Sequence, residues 1–226
     1  MPTVRTGEST CIGHPDKLCD LIAGIILDDL LVTDPAARCA VEVMATKGRI
    51  IVAGENTSTA RARVRVRESL RRAVICAGYS PAGWKVTVHT HTQFPVIAAG
   101  VSTSLEARDG NESAFVLTGA GDQGTVYGYG TAETRERLPL LLVIAHDICK
   151  RLDTARVDGV IRGIGSDGKS QVSLRYDDDG HATDVEAVVV SIQHTKDTDL
   201  EELRRQVTTL IITPAFVSTV TTCSPG

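Results

Sequence analysis

The chain has 226 residues, of which 4% are aromatic, and a formal charge of −4. That length suits one large or two small domains with a substantial core built from Val, Ile, Leu and Ala, and the negative balance argues against a dedicated nucleic-acid binder. Residues 1–10 carry no signal-peptide pattern and no apolar run is long enough to span a bilayer, so the expectation is a cytoplasmic protein without a membrane partner.

Leu18, Leu21, Ile22, Ile25 and Ile26 recur at helical spacing, and Pro15 stands in the first turn, where its fixed φ and missing N–H cost nothing. A helix over 15–31 is predicted. Residues 38–44 and 49–53 alternate or run apolar around Lys47-Gly48, which predicts a β-hairpin bearing Glu42, with Glu55 just past its second strand. Val66, Leu70, Ala73, Val74 and Ala77 form the stripe of a second helix, with Thr57 or Ser58 as its cap and Gly78 as its stop. A strand near 85–90 follows. From there to about 130 the chain is rich in Gly, Ser, Thr, Asn and Asp, with a short strand at 114–117; such long loops in compact domains are often lids.

Residues 138–152 predict a helix, 171–176 and 183–193 a hairpin around Asp177-Asp178-Asp179-Gly180, and 200–210 a last helix. Strands, helices and hairpins alternate without a detectable repeat, which gives an α+β class with mixed sheets. Cys11, Cys19, Cys39, Cys76, Cys149 and Cys223 lack the paired spacing of a zinc site and read as reduced, mostly buried thiols.

Gly13-His14-Pro15-Asp16-Lys17 puts an imidazole, a carboxylate and an ammonium group at one helix start, where unsatisfied N–H groups and the dipole favour an anion. A phosphate chain with Mg2+ suits it: His14 and Lys17 for phosphate oxygens, Asp16 as the hard oxygen ligand. A capped surface helix, with Asp16 complementing the dipole, is the competing reading. Asp167-Gly168-Lys169-Ser170-Gln171 leaves a loop and enters a strand, where Lys169 can reach a ligand or remain solvated. Gly119-Ala120-Gly121-Asp122-Gln123-Gly124 matches a dinucleotide-binding pattern, yet no helix follows to hold a pyrophosphate. His89 and His91 share one side of a strand without a third metal ligand, and Arg61, Arg63, Arg65, Arg67, Arg71 and Arg72 spread over several helix faces, as a solvated surface or subunit contact would. No triad order supports nucleophilic catalysis.

The succession of Gly13-His14-Pro15-Asp16-Lys17, Glu42, Gly54-Glu55, the glycine loop at 119–124, residues 167–172 and Ser191-Ile192-Gln193-His194 resembles the S-adenosylmethionine synthetase (methionine adenosyltransferase) family, almost end to end. The resemblance implies pseudo-symmetric units of mixed sheet covered by helices, with 1–100 as an N-terminal and 101–226 as a central region. It implies that methionine sulfur attacks C5′ of ATP and expels the triphosphate, which is then cleaved to pyrophosphate and phosphate. A neutral thioether has no proton to lose, so alignment and stabilisation of the leaving charge are the main tasks. By position, the resemblance makes His14 the catalytic contact to the phosphate chain, Asp16 a Mg2+ ligand and Glu42 a K+ ligand. It makes Asp167 and Lys169 ATP contacts, Lys169 a catalytic one together with His14, and Glu55, Gln93 and Asp122 the methionine groups, which serve the facing subunit of a dimer.

The family pattern is broken at Ile12, which replaces an acidic residue, and at Phe94-Pro95-Val96-Ile97, which lacks the acidic residue expected after Gln93 in the lid. The cationic C-terminal portion of the family is not found in these residues. The leading expectation is a subunit of a split, hetero-oligomeric synthetase, inactive without a second polypeptide and built on dimer-type contacts. A non-catalytic regulatory homologue and a truncated fragment are the alternatives.

Overall fold

The structure is a computed structural model that describes residues 3–57, 66–92, 103–110 and 124–222, without the side chains of 106 and 219–222. The class is α+β, and the chain forms two compact units, one of Met1–Leu18, Val74–Ser80 and Tyr129–Gly226, the other of Cys19–Ala73 and Pro81–Gly128.

In the first unit, strands β1 (Thr3–Thr10), β5 (Ile164–Tyr176) and β6 (Ala182–His194) form an antiparallel sheet in the order β1-β5-β6. β5 buries Ser166, Gly168, Ser170, Val172, Leu174 and Tyr176 on one face and turns Asp167, Lys169 and Gln171 to the other. Helix α4 (Leu140–Val157) buries Leu141, Ile144, Ala145, Ile148, Cys149, Leu152 and Ala155, a stripe at helical spacing that shares the core with Val172, Leu174 and Tyr176. Burying each large aliphatic group contributes about 1.5–3 kcal/mol. The helix comes so close to β1 that a Cβ on Gly7 would lie 2.2 Å from the Leu141 Cδ1.

β1 escapes sequence reading because Thr-Val-Arg-Thr-Gly-Glu-Ser-Thr has almost no apolar alternation. The strand at 171–176 extends back to Ile164, so Asp167 and Lys169 sit inside a strand rather than in a loop. The expected helix at 200–210 instead runs as α5 (Leu200–Gln206), a π-helical segment (Val207–Ile212) and α6 (Thr213–Thr222). The wider turn carries the chain past Pro214, which has no N–H to return, and the Thr213 hydroxyl donates to the Thr208 carbonyl at 3.0 Å.

In the second unit, β2 (Arg38–Thr46) and β3 (Arg49–Thr57) are antiparallel and β4 (Lys85–His91) joins β3 in parallel, which makes this sheet mixed as expected. Val41, Ile50 and Val52 are buried, as are Ile22, Ile26 and Leu30 of α1 (Pro15–Thr33) and Leu70 and Ala73 of α2 (Val66–Cys76). Asp29 ties the two helices by accepting from the Ser69 hydroxyl at 2.5 Å and from Arg72. Thr57 ends β3 and therefore does not cap α2, the alternative cap Ser58 lies outside the described residues, and Gly78, at φ +84°, ends the helical path as expected. Inside the loop region a short helix, α3 (Leu105–Arg108), is capped by Ser104; the expected strand at 114–117 lies outside the described residues. Cys11 and Cys149 are buried, Cys19 and Cys39 half-buried and Cys76 exposed, so burial of these thiols is less general than expected.

Candidate functional site

In the first unit the turn between β1 and α1 is clamped from three sides. The Cys11 N–H donates to the Gly168 carbonyl at 2.9 Å and the Gly13 N–H to the Ser166 carbonyl at 3.0 Å, which lays 11–13 along β5. The Ile12 N–H donates to Asp153 Oδ2 of α4 at 2.9 Å, and the Tyr79 hydroxyl to the Gly13 carbonyl at 2.6 Å. Only glycine fits at 13, because a Cβ there would lie 2.5 Å from the Ser166 Cβ and 2.7 Å from its carbonyl. A motif held this way presents its side chains from a fixed backbone.

His14 immediately precedes the first helical residue and caps α1, its Nδ1 accepting the Asp16 N–H at 3.2 Å. With Nδ1 an acceptor, Nε2 carries the proton of the neutral ring and is a donor. The cap also narrows the anion argument: Pro15 has no N–H and that of Asp16 is taken, so the helix end offers an anion fewer donors and the side chains carry more of the task. The Asp16 carboxylate is 89% exposed, with its Oδ2 3.8 Å from the His14 Nδ1. An exposed hard-oxygen donor of this kind fits Mg2+, which keeps most of its waters and phosphate ligands and takes one or two carboxylates.

Both lysines of the site are already engaged. Lys17 Nζ donates to the Thr10 carbonyl at 2.5 Å, and Lys169, the register partner of Thr10, pairs with Glu8 Oε2 at 2.8 Å. Asp167 lies two residues from Lys169 on the same strand face, half-buried. Burial raises the Asp153 carboxyl above the ordinary carboxylate range, against the Ile12 N–H, Arg156 and Lys17, which lower it. Burial, with the Lys17 charge, lowers His146 and favours its neutral form.

In the second unit Glu42, Glu55, His89 and His91 share the open face of the sheet: Glu42 stands opposite Ala53, which is level with His89, and Glu55 is level with His91. His91 Nε2 lies 3.2 Å from Glu55 Oε1. Glu42 faces the methyl of Ala53 across the ladder, so among the described residues its cross-strand partner adds no second oxygen ligand beside it. Gln93, Asp122, the glycine loop at 119–123 and Val96 lie outside the described residues. Among the described residues the sole group of three His, Cys, Asp or Glu close enough to share an ion is Asp177, Asp179 and His181 at the β5–β6 turn, which includes no expected ligand. Glu8, Tyr79 and Asp153 escaped the sequence reading, and His91 is weighed there only with His89 as a metal ligand, not as the neighbour of Glu55. Glu8 could have been found from its place two residues before Thr10 had β1 been recognised, whereas Tyr79 and Asp153 act across the fold and leave no local signal.

No helix among the described residues is long and apolar enough to cross a membrane. Residues 3–101 match the model of the S-adenosylmethionine synthetase N-terminal domain and residues 117–224 that of its central domain. The chain is similar to the S-adenosylmethionine synthase of Pseudothermotoga lettingae, 38% identical with 96% of this chain and 56% of the relative covered. It is 40% identical to that of Corynebacterium kroppenstedtii, covering 93% of this chain and 54% of the relative, and 42% identical to that of Nocardia farcinica, covering 88% and 50%. The chain thus spans about half the length of the curated relatives it matches.

Proposed function

From the premise that the chain belongs to the S-adenosylmethionine synthetase family, we propose that it works in forming S-adenosylmethionine from ATP and L-methionine, with release of phosphate and pyrophosphate. The observation that carries this is the clamped turn at 11–14, which lies along β5 next to Lys169 and sets His14 at the start of α1, with Lys17 tied to the Thr10 carbonyl and the Asp16 carboxylate exposed. In this reading the His14 Nε2–H and the Lys169 ammonium donate to oxygens of the phosphate chain, where negative charge grows as the C5′–O bond breaks. Asp167 orients the nucleotide from β5, and Glu55, with Gln93 and Asp122, receives methionine. Mg2+ held by Asp16 would neutralise phosphate charge when bound.

The finer reading is that this chain is one subunit of a hetero-oligomer whose second polypeptide completes the site. Charge supports it: Glu8, Asp16 and Asp167 offset Lys17 and Lys169, and both lysines already have acceptors within the unit. A triphosphate needs more cations than that. Measuring S-adenosylmethionine from ATP and methionine with the 226-residue chain, alone and with a candidate partner, tests it. Activity only in the mixture is expected, and full activity of the chain alone would overturn the split arrangement. If Asp16→Asn and Lys169→Ala leave the mixture's activity unchanged, the chain is a regulatory homologue instead.

A further inference from the structure

Lys169, 41% exposed in its side chain, and Glu8, 53% exposed, form an ion pair between the central strand β5 and β1, on the sheet face where the phosphate chain is read to bind. The pair is not fixed by burial, and exposed pairs of this kind are weak enough to exchange partners. Its position is the informative part. Thr10 is the register partner of Lys169 and its carbonyl holds the Lys17 ammonium, so both cations belong to one patch with Glu8 beside them. Asp167, two residues from Lys169 on the same face of β5, and Asp16, next to Lys17 in sequence, bring the count around it to three carboxylates against two ammonium groups. A bare phosphate chain meets a net negative surface there, and it reaches Lys169 only by displacing a carboxylate or lying against one.

We propose that Glu8 is a positioning residue for Lys169 and an electrostatic filter: it holds the ammonium over the β1–β5 pair and disfavours phosphate chains that arrive without a divalent cation. The inference rests on the reading of Lys169 as a phosphate contact. A chain whose charge is partly neutralised by a cation suffers less repulsion from the Glu8 carboxylate and exchanges it readily for its own oxygens on Lys169. Glu8 thereby couples occupancy of this patch to the presence of the cation, without touching the reacting carbon.

Calorimetric titration of the full 226-residue chain with tripolyphosphate, at low salt with and without Mg2+, tests this in the unaltered chain, Glu8→Gln, Glu8→Asp and Lys169→Ala. Glu8→Gln keeps the shape and removes the charge. It is expected to bind tripolyphosphate without Mg2+ about fivefold more tightly than the unaltered chain, the scale of one exposed ion pair, and to show a smaller gain on adding Mg2+. Glu8→Asp should restore the original dependence, which a merely structural loss would not, and the advantage of Glu8→Gln should shrink in high salt. Equal Mg2+-free affinity of Glu8→Gln and the unaltered chain, including the absence of binding by both, overturns the proposal. The underlying reading fails differently: Lys169→Ala then binds magnesium tripolyphosphate as tightly as the unaltered chain.

Discussion

The two sheets carry their chemistry in opposite ways. In the first unit His14 is fixed as a helix cap, Lys17 is tied to a carbonyl and Lys169, on β5, to a carboxylate, around a turn pinned by Gly168, Ser166, Asp153 and Tyr79. In the second, Glu42 and Glu55 stand on an open sheet face, where His91 is the polar neighbour identified beside Glu55. The first arrangement is organised before any ligand arrives; the second supplies groups that a ligand or a facing subunit must still order. Removing a group from the organised side should therefore act on the chemical step, and removing one from the open side on binding.

The largest effects test that division in the active assembly. Lys169→Ala should lower kcat about 100-fold, the scale of losing one donor to developing charge, with a modest change in the methionine KM. Glu55→Gln should raise the methionine KM about tenfold, the cost of one hydrogen bond to a charged group, and leave kcat within a few-fold. Steady-state kinetics read both, and an equal kcat loss for the two variants would erase the distinction.

Glycines at the two sites sharpen it next. Gly13→Ala drives a Cβ into Ser166, and Gly54→Ala drives one to 2.1 Å from the Ala40 carbonyl at a φ of +136°. Each should destabilise by about 1–3 kcal/mol, while Gly24→Ala, in a helix with nothing within 4 Å, should stabilise by about 0.5–1 kcal/mol. Urea unfolding gives all three. Gly13→Ala should also lower kcat by shifting the turn, because the His14 cap moves with it.

The same contrast explains what the sequence disclosed. Pro15 followed by an apolar stripe marks the start of α1, and Lys47-Gly48 between alternating runs marks the β2–β3 hairpin, because both signals are local. The family motif placed His14, Asp16 and Lys169 in order along the chain. It was silent about their partners, since the Glu8–Lys169 pair and the Ile12–Asp153 bond join residues far apart in sequence. β1 and the backward extension of β5 were hidden for a related reason: Thr, Ser, Gly and Lys fill those strands, and the sheet there is specified by backbone pairing and the approach of α4 to Gly7 rather than by apolar alternation. The π-helical segment was invisible because Val207–Ile212 reads as ordinary helix until Pro214 is accounted for.

A smaller effect is expected at His91. His91→Gln removes a group 3.2 Å from the Glu55 carboxylate that is 57% exposed, so the methionine KM should change about two- to fivefold, as for an exposed pair, with kcat unaltered. A change in kcat instead would place His91 among the organised groups.

Acid should separate the two units most gently of all. Burial opposes ionisation of Asp29 in the second unit, but the Ser69 hydroxyl and the Arg72 charge outweigh it and leave the carboxyl below its ordinary value. Its contribution is therefore present above the unfolded pKa of about 4 and is lost as pH falls through the lower folded value. Asp153 in the first unit has the opposite sign: burial raises its folded value, so the cost of its charge is present at neutral pH and relieved as pH falls through that value. Amide exchange in the native state, compared between pH 6 and pH 3.5, should show protection of α1 around Asp29 and α2 around Ser69 declining relative to α4 around Asp153. Asp29→Asn should flatten the difference, because its amide does not titrate, whereas equal loss of protection in both helices with Asp29 intact would show that neither carboxyl sets the local response to acid.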